Sequence, residues 1–207
     1  MEMERAFLYG LRTEKVGSNG KKERTTLGLI PAIKTYGDST NNISSFVTDT
    51  DTDFSGNTWA QAGEAWLDYY LAKIFRYGAR EKLAFCGYNT VLAINKLAKL
   101  YGNIQLTATT KSYGLKVTEW LTPFGTIYLM LHPLFSYEDS DSRSMVIFEP
   151  SKLAYVPLTG RDTKLLPNRQ ANGVDGRIDE YLTECGLEYS QMKTAGYLTG
   201  FGQTNTA

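Results

Sequence analysis

Apolar residues recur at helical spacing from the start of the chain: Met3, Phe7, Leu8 and Leu11, with Glu2, Glu4, Arg5 and Arg12 opposite them. This pattern predicts a helix over the first dozen residues, with acidic residues early and basic residues late, as the helix dipole favours. No capping residue precedes it, so it is expected to be the end of a longer helix cut short. VGSNGKKERTT (16–26) then reads as a polar loop. LGLIPAI (27–33) returns to apolar residues, and Pro31 argues against a helix interior there. Residues 38–57 read as a second irregular stretch. Thr58 and Gln61 form a capping-box pattern, and a helix follows. Its apolar stripe is Trp59, Ala62, Trp66, Tyr69, Tyr70, Ile74 and Tyr77, and Gly78 is the stop. KLAFCG (82–87) predicts a short buried strand. YNTVLAINKLAKLYG (88–102) predicts a helix entered through Asn89 or Thr90 and ended by Gly102.

From residue 103 the period changes to two. NIQLTATT (103–110) and GLKVTEWL (114–121) alternate around a KSYG turn. TPFG (122–125) is a turn with Pro at its second position and Gly at its fourth, and TIYLMLH (126–132) is the return strand. FSYEDSDSRS (135–144) reads as a polar loop. SMVIFEP (144–150) and KLAYVPL (152–158) read as strands, and residues 161–176 as a connection. Residues 177–190 and 193–202 close the chain as β structure, and the tail QTNTA is expected to be unstructured. Helices early and antiparallel strands late make an α+β chain.

Charge then narrows the functional classes. The 207 residues carry 22 Lys+Arg against 22 Asp+Glu, so no strong field points to nucleic acid or an anionic membrane. Hydrophobic residues are 42% and charged ones 21%, a globular balance. No apolar run reaches about 18 residues, so no membrane span is expected. The acidic, amphipathic start is unlike a secretory signal. The charge is uneven locally. Residues 1–37 carry a net +3, including Lys21, Lys22 and Arg24, whereas residues 38–57 carry −4, from Asp38, Asp49, Asp51 and Asp53 with no Lys or Arg. These regions are expected to attract each other, or matching regions of a neighbouring molecule. The 14 Tyr, 9 Phe and 3 Trp suggest aromatic contact surface.

Candidate chemistry is sparse. Read from Asp51, the stretch places Asp51, Asp53, Ser55 and Gly56 at positions 1, 3, 5 and 6 of a calcium loop. Position 12 is Ala62, so the bidentate Glu is missing and an acidic loop before a helix N-terminus is the better reading. The single His, His132, precedes Pro133 with no nucleophile elbow near it. Cys86 and Cys185 form no CxxC motif, and neither is beside a basic residue, so both read as inert thiols. No GxGxxG or GxxxxGK[ST] occurs; Gly87 marks a strand-to-helix turn where donors could hold an anion, and a tight turn explains it as well. No catalytic constellation remains, no cofactor is implied, and an interaction protein is favoured over an enzyme.

Several segments, in order, resemble one family. MERAFLYGLRTEKVGSNGKKERTTLGLIPAI (3–33) resembles the end of the spine helix and the following loop of tailed-phage major capsid proteins with the Hong Kong 97-like fold. The residues carrying it are Glu4, Arg5, Ala6, Leu8, Gly10, Arg12, Asn19, Gly20 and Gly28 to Ile30. IFRYGAREKLAFCGYNTVLAINKLAK (74–99) is similar to the helix, strand and helix at the start of the family's axial domain. KVTEWLTPFGTIYLMLHPLF (116–135) resembles its hairpin ending in His-Pro. MVIFEPSKLAYVPL (145–158) and RIDEYLTECGLEYSQMKTAGYLTGF (177–201) resemble the late strands returning to the peripheral domain.

The resemblance implies a capsid subunit that lacks the family's N-terminal arm, extended loop and first part of the spine helix. It implies the end of the spine helix, a loop and a peripheral helix in residues 1–80, an axial domain in 81–165, and return strands with the tail in 166–207. Its partners would be copies of itself in hexamers and pentamers of an icosahedral shell, packaged double-stranded DNA held nonspecifically, and scaffold or decoration proteins, with no membrane. Its place would be the virion, after assembly in the host cytoplasm. The expected subunit contacts are Lys21, Lys22 and Arg24 against Asp49, Asp51 and Asp53, with Tyr113, Pro123 and Phe124 at hairpin tips. Two other readings stand beside it: a phage tail or connector protein, and a metal-dependent hydrolase using the 49–53 carboxylates with Glu64.

Overall fold

A computed structural model describes residues 2–18, 20–101, 106–111, 115–137, 139–173 and 175–207. Two compact units result, one from Met1–Leu29 with Leu153–Ser190, the other from Ile30–Lys152 with Gln191–Ala207. The chain thus divides at 29/30, 152/153 and 190/191, which differs from the boundaries expected at 80/81 and 165/166. The difference arises because the capped helix at 59–74 and the strand after it share one core.

In the first unit the amphipathic start forms helix α1 (Glu2–Tyr9). Gly10 ends it, its N–H bonding to the Ala6 carbonyl at 2.9 Å. The stretch read as a polar loop is instead a two-stranded ribbon, β1 (Glu14–Val16) with β2 (Lys22–Arg24). Its polar residues alternate in charge across the strands, and cross-strand pairing supplies what an apolar face does not: Lys22 lies 2.8 Å and Arg24 3.2 Å from Glu14.

The second unit opens with α2 (Leu29–Tyr36), which corrects the reading at Pro31. Proline falls in the first turn, where backbone N–H groups have no intrahelical partner to lose. The irregular stretch holds a short strand, β3 (Ile43–Ser45), and a 3-10 turn, Phe46–Thr48. Helix α3 (Trp59–Ile74) starts at the predicted capping box, with Thr58 N–H donating to Gln61 Oε1 at 3.0 Å. Trp59, Ala62, Trp66, Tyr70 and Ile74 of the stripe are buried; Tyr69 and Tyr77 are exposed instead, and Gly63, Leu67 and Leu71 complete the inner face. Strand β4 (Glu81–Cys86) and helix α4 (Tyr88–Tyr101) follow as expected, though the predicted stop at Gly102 lies outside the described residues.

Next come β5 (Leu106–Lys111), β6 (Leu115–Thr122) and β7 (Gly125–Leu131). The TPFG turn is borne out: Thr122 pairs with Gly125 across a β6–β7 hairpin. The polar loop at 135–144 includes a short helix, α5 (Asp139–Ser142), before β8 (Met145–Phe148). In the first unit, β9 (Leu153–Pro157), β10 (Lys164–Leu166), β11 (Glu180–Leu182) and β12 (Cys185–Tyr189) form two further ribbons, β9–β12 and β10–β11. The connection expected over 161–176 is thus partly strand. Strand β13 (Gly196–Thr199) returns to the second unit.

The sheet of the second unit runs β3-β13-β8-β4-β7-β6-β5, with parallel pairs β3–β13 and β4–β7. Every second residue faces one side, so Ala84, Cys86, Ile127, Leu129, Met145, Ile147 and Leu198 form a single apolar face. Helices α3 and α4 cover it with Trp66, Leu71, Ile74, Ile94 and Leu97, all at 0% exposure. The tail is not loose. Asn205 is 3% exposed and donates from Nδ2 to the Asp49 carbonyl at 2.8 Å, while its N–H reaches the Asn57 carbonyl at 2.9 Å.

Candidate assembly interface

The expected contact residues fall in both units, and each group is built by local chemistry. In the first unit, Lys21, Lys22 and Arg24 are exposed on the β1–β2 ribbon. Lys22 and Arg24 share Glu14, and Lys15 approaches Glu23 at 4.0 Å. Hydrogen bonding from Lys22, with the nearby Arg24 charge, holds the Glu14 carboxyl below its ordinary range. Exposed pairs of this kind contribute little to stability and can be exchanged for other carboxylates.

The acidic group lies in the second unit. Asp49 is turned into that unit: Oδ2 accepts from Trp66 Nε1 at 2.9 Å, Tyr70 Oη at 2.8 Å and Ser44 Oγ at 3.1 Å, and Oδ1 accepts from Asp51 N–H at 3.1 Å. Burial pushes its carboxyl up, but these donors outweigh burial and hold it below the ordinary carboxylate range. Burial and the bond to Asp49 push the Tyr70 phenol up to about 12. Asp53 is exposed and Asp51 half-buried, with Asp53 N–H donating to Asp51 Oδ1 at 3.3 Å. The three aspartates therefore share one turn but not one role. At the β6–β7 turn, Pro123 and Phe124 are exposed, Phe124 at 36%. Tyr113 lies outside the described residues.

The aromatic surface expected from composition needs correction. All three tryptophans are interior, with Trp59 at 5%, Trp66 at 0% and Trp120 at 4% exposure. Phe46, Trp59, Trp66, Tyr70 and Phe201 form one ring cluster with centroids 5.0–6.0 Å apart. Trp59 Nε1 donates to the Ala93 carbonyl at 3.2 Å, so with the Trp66 and Tyr70 bonds to Asp49 all three polar tips in this cluster are satisfied internally. The exposed aromatics are mostly tyrosines, among them Tyr36, Tyr137 and Tyr181.

The residues weighed for other chemistry have structural surroundings. In the calcium-like stretch, the Asp51 carbonyl accepts from the Phe54 and Ser55 N–H groups, and Ser55 Oγ donates to the Ala207 carbonyl at 2.6 Å. Among the described residues no group of three or more His, Cys, Asp or Glu is placed to hold a metal ion. Glu64 lines a cleft of about 140 Å³ with Asp68, Trp120 and Pro123, and burial pushes the Asp68 carboxyl up. His132 is 8% exposed, lies tilted against Phe85 and edge-on to Phe135, and accepts the Leu134 N–H on Nδ1 at 3.3 Å. Burial pushes the Cys86 thiol up to about 12.

Gly87 is a close approach: a Cβ there would come within 2.5 Å of the Ser142 backbone. Ser142 and Ser144 also take the first polar groups of α4, Asn89 Nδ2 reaching Ser142 Oγ at 2.8 Å and Thr90 Oγ1 the Ser144 carbonyl at 3.1 Å. Nothing in DSDSRS signalled that role. A further group without a sequence signal is Lys82, 1% exposed, whose Nζ donates to the Thr194 carbonyl at 2.9 Å and the Tyr77 carbonyl at 3.2 Å.

With this geometry in view, the chain matches the SU10 major capsid protein family over residues 1–202. The chain belongs to that family. Membership places it among the structural proteins of the phage virion, in the capsid. It is also similar to the major capsid protein of Pseudomonas phage PaMx41, with 26% identity over 198 residues, covering 88% of this chain and 45% of that protein. The chain thus spans about half the length of the curated relative it matches. Two of the glycines that carry the resemblance have a physical reason within the first unit: Gly28 N–H bonds to the Gly10 carbonyl at 2.6 Å, and a Cβ on Gly28 would lie 2.6 Å from the Gly10 nitrogen. The two backbones touch, so neither position has room for a side chain.

Proposed function

We propose that this chain is a structural, non-catalytic capsid subunit that associates with copies of itself into hexamers and pentamers of an icosahedral shell around double-stranded DNA. The observation that carries the reading is the family match along residues 1–202. The α+β architecture, with a mixed sheet in one unit and paired ribbons in the other, is compatible with a Hong Kong 97-like fold. In that reading the unit with the sheet is the axial domain, and the β6–β7 turn with Pro123 and Phe124 faces a symmetry axis. The unit of ribbons belongs to the peripheral domain. Assembly takes place in the host cytoplasm.

Lys21, Lys22 and Arg24 then meet carboxylates of a neighbouring subunit. Asp51 and Asp53 are available to them, whereas both Asp49 oxygens are already engaged inside their own unit. Such exposed charge pairs orient partners more than they bind them, which suits a shell whose neighbours differ slightly from place to place. The zero net charge limits repulsion between many copies and makes any DNA contact weak and nonspecific.

The test is solution mass by light scattering across salt and protein concentration, with electron microscopy of any assembly. Closed shells are the expected result. Rings or tubes would instead support a tail or connector protein, and a monomer under every condition would remove the basis for self-assembly.

A further inference from the structure

The first unit has almost no interior of its own. Among its described residues, the buried ones are Leu8, Gly28 and Leu29. The remainder is one eight-residue helix and three two-stranded ribbons. A lone ribbon of this kind is marginal in water, because it removes little apolar surface to set against the entropy of ordering its strands. Even so, the ribbons carry large apolar side chains. Leu165 and Tyr181 stand directly opposite each other on β10–β11, hence on one face, at 48% and 76% exposure. Isolated exposed apolar residues need no explanation; a cross-strand pair on a ribbon with no core beneath it does.

We infer that the β10–β11 ribbon is an assembly surface, covered and held in order by a second copy of this chain, with Leu165 and Tyr181 as its apolar anchor. The inference rests on the capsid reading and adds to it the surface concerned. Charge identifies the occupant. Within the unit, residues 1–29 hold six Lys+Arg against four Asp+Glu, and residues 153–190 hold four against six. The unit as a whole is neutral, so it presents no field for nucleic acid or an anionic membrane. A second copy, in contrast, offers each segment one of opposite sign. Each strand of β10–β11 also has one edge outside any ladder, whose backbone groups a neighbouring strand can pair. A tyrosine exposed to 76% with its partner leucine beside it is the kind of rigid, amphipathic side chain that anchors protein contacts.

The experiment uses the whole chain as wild type, as the double variant Leu165→Ser/Tyr181→Ser, and as a control, Tyr36→Ser, an aromatic of the other unit at 55% exposure. Mass is followed by light scattering against concentration, and backbone hydrogen exchange is read in subunits and assemblies. The double variant is expected to keep the wild-type circular dichroism and to need at least about tenfold more protein to assemble, one anchor pair being worth about 1.4 kcal/mol or more. The control should assemble as wild type. In wild type, amides of 164–166 and 180–182 are expected to gain at least about tenfold protection on assembly, equivalent to the same free energy. Ribbon amides already as protected in the free subunit as those of β4 would overturn the inference, whatever the variants do. So would a double variant that assembles at the wild-type concentration, and that outcome leaves the capsid reading intact. A wild type that never assembles removes the capsid reading, and the ribbon's role with it.

Discussion

The Asp49 carboxylate ties three parts of the second unit together, through Trp66 and Tyr70 of α3, Ser44 of β3 and the turn at Asp51. Replacing it with Asn turns an acceptor into a partial donor facing donors, so Asp49→Asn is expected to destabilise the protein by about 1–3 kcal/mol in denaturant titrations. The pH dependence follows from the direction of its shift. Its folded value lies below the unfolded one, so its contribution is complete above the ordinary carboxylate range near about 4 and is lost as pH falls through the folded value. Melting temperature followed from neutral pH down to about 2 should therefore fall less steeply in Asp49→Asn than in wild type. Equal slopes would show that the carboxylate is not the group titrating. Thiol accessibility gives a second check at this scale. Cys86 is 0% exposed with its thiol pushed up by burial, whereas Cys185 is half-buried. A disulfide reagent at pH 8 should modify Cys185 in the native protein and reach Cys86 only after unfolding.

Among the elements, the capped start of α3 was legible, whereas α2 and the β1–β2 ribbon were not. The capping box at Thr58 and Gln61 spans only four residues of sequence, and α3 begins where it points. The β1–β2 ribbon has no apolar alternation to read, because it is held by Glu14 between Lys22 and Arg24 and by the backbone. Where elements meet closely, small changes should be costly. Gly28→Ala would push a methyl into the Gly10 nitrogen and the Leu8 carbonyl, both backbone atoms that cannot turn aside. A loss of about 2 kcal/mol or more is expected, read as a lower melting temperature together with faster hydrogen exchange in α1. The tail is tested by Asn205→Ala, which leaves the Asp49 carbonyl without its donor. It should cost about 1–2 kcal/mol, whereas a loose tail would give no change.

At the scale of the whole molecule, charge decides more about partners than about folding. Lys21→Glu/Lys22→Glu reverses the exposed end of the β1–β2 ribbon, where the side chains pack against no core. The expected outcome is a loss of no more than about 1 kcal/mol in thermal unfolding, from the lost Lys22–Glu14 pair, and impaired assembly by light scattering. Adding salt should weaken wild-type assembly in the same direction, since exposed pairs are screened beyond about 10 Å at 0.1 M. Normal shells from the reversed variant, seen by electron microscopy, would exclude this ribbon from the subunit contacts.

The sequence by itself determined the elements whose signals are local. Periodicity marked α1, α3, β4 and α4, the TPFG turn marked the β6–β7 hairpin, and the order of short motifs pointed to the capsid family. It did not determine which side chains face inward. Fourteen tyrosines and three tryptophans read equally well as surface or core, and only the packing of α3 on the sheet placed the tryptophans inside and left Tyr69 exposed. Pro31 read as a helix breaker because its effect depends on its position in the helix, and only the fold puts it in the first turn. The division into units was equally out of reach, since it depends on contacts between residues more than a hundred positions apart, such as Asn42 with Lys193 and Asn205 with Asp49. Local free energy is written along the chain, whereas burial depends on what long-range contacts bring together, and so tertiary structure alone decided that one unit has a core and the other has almost none.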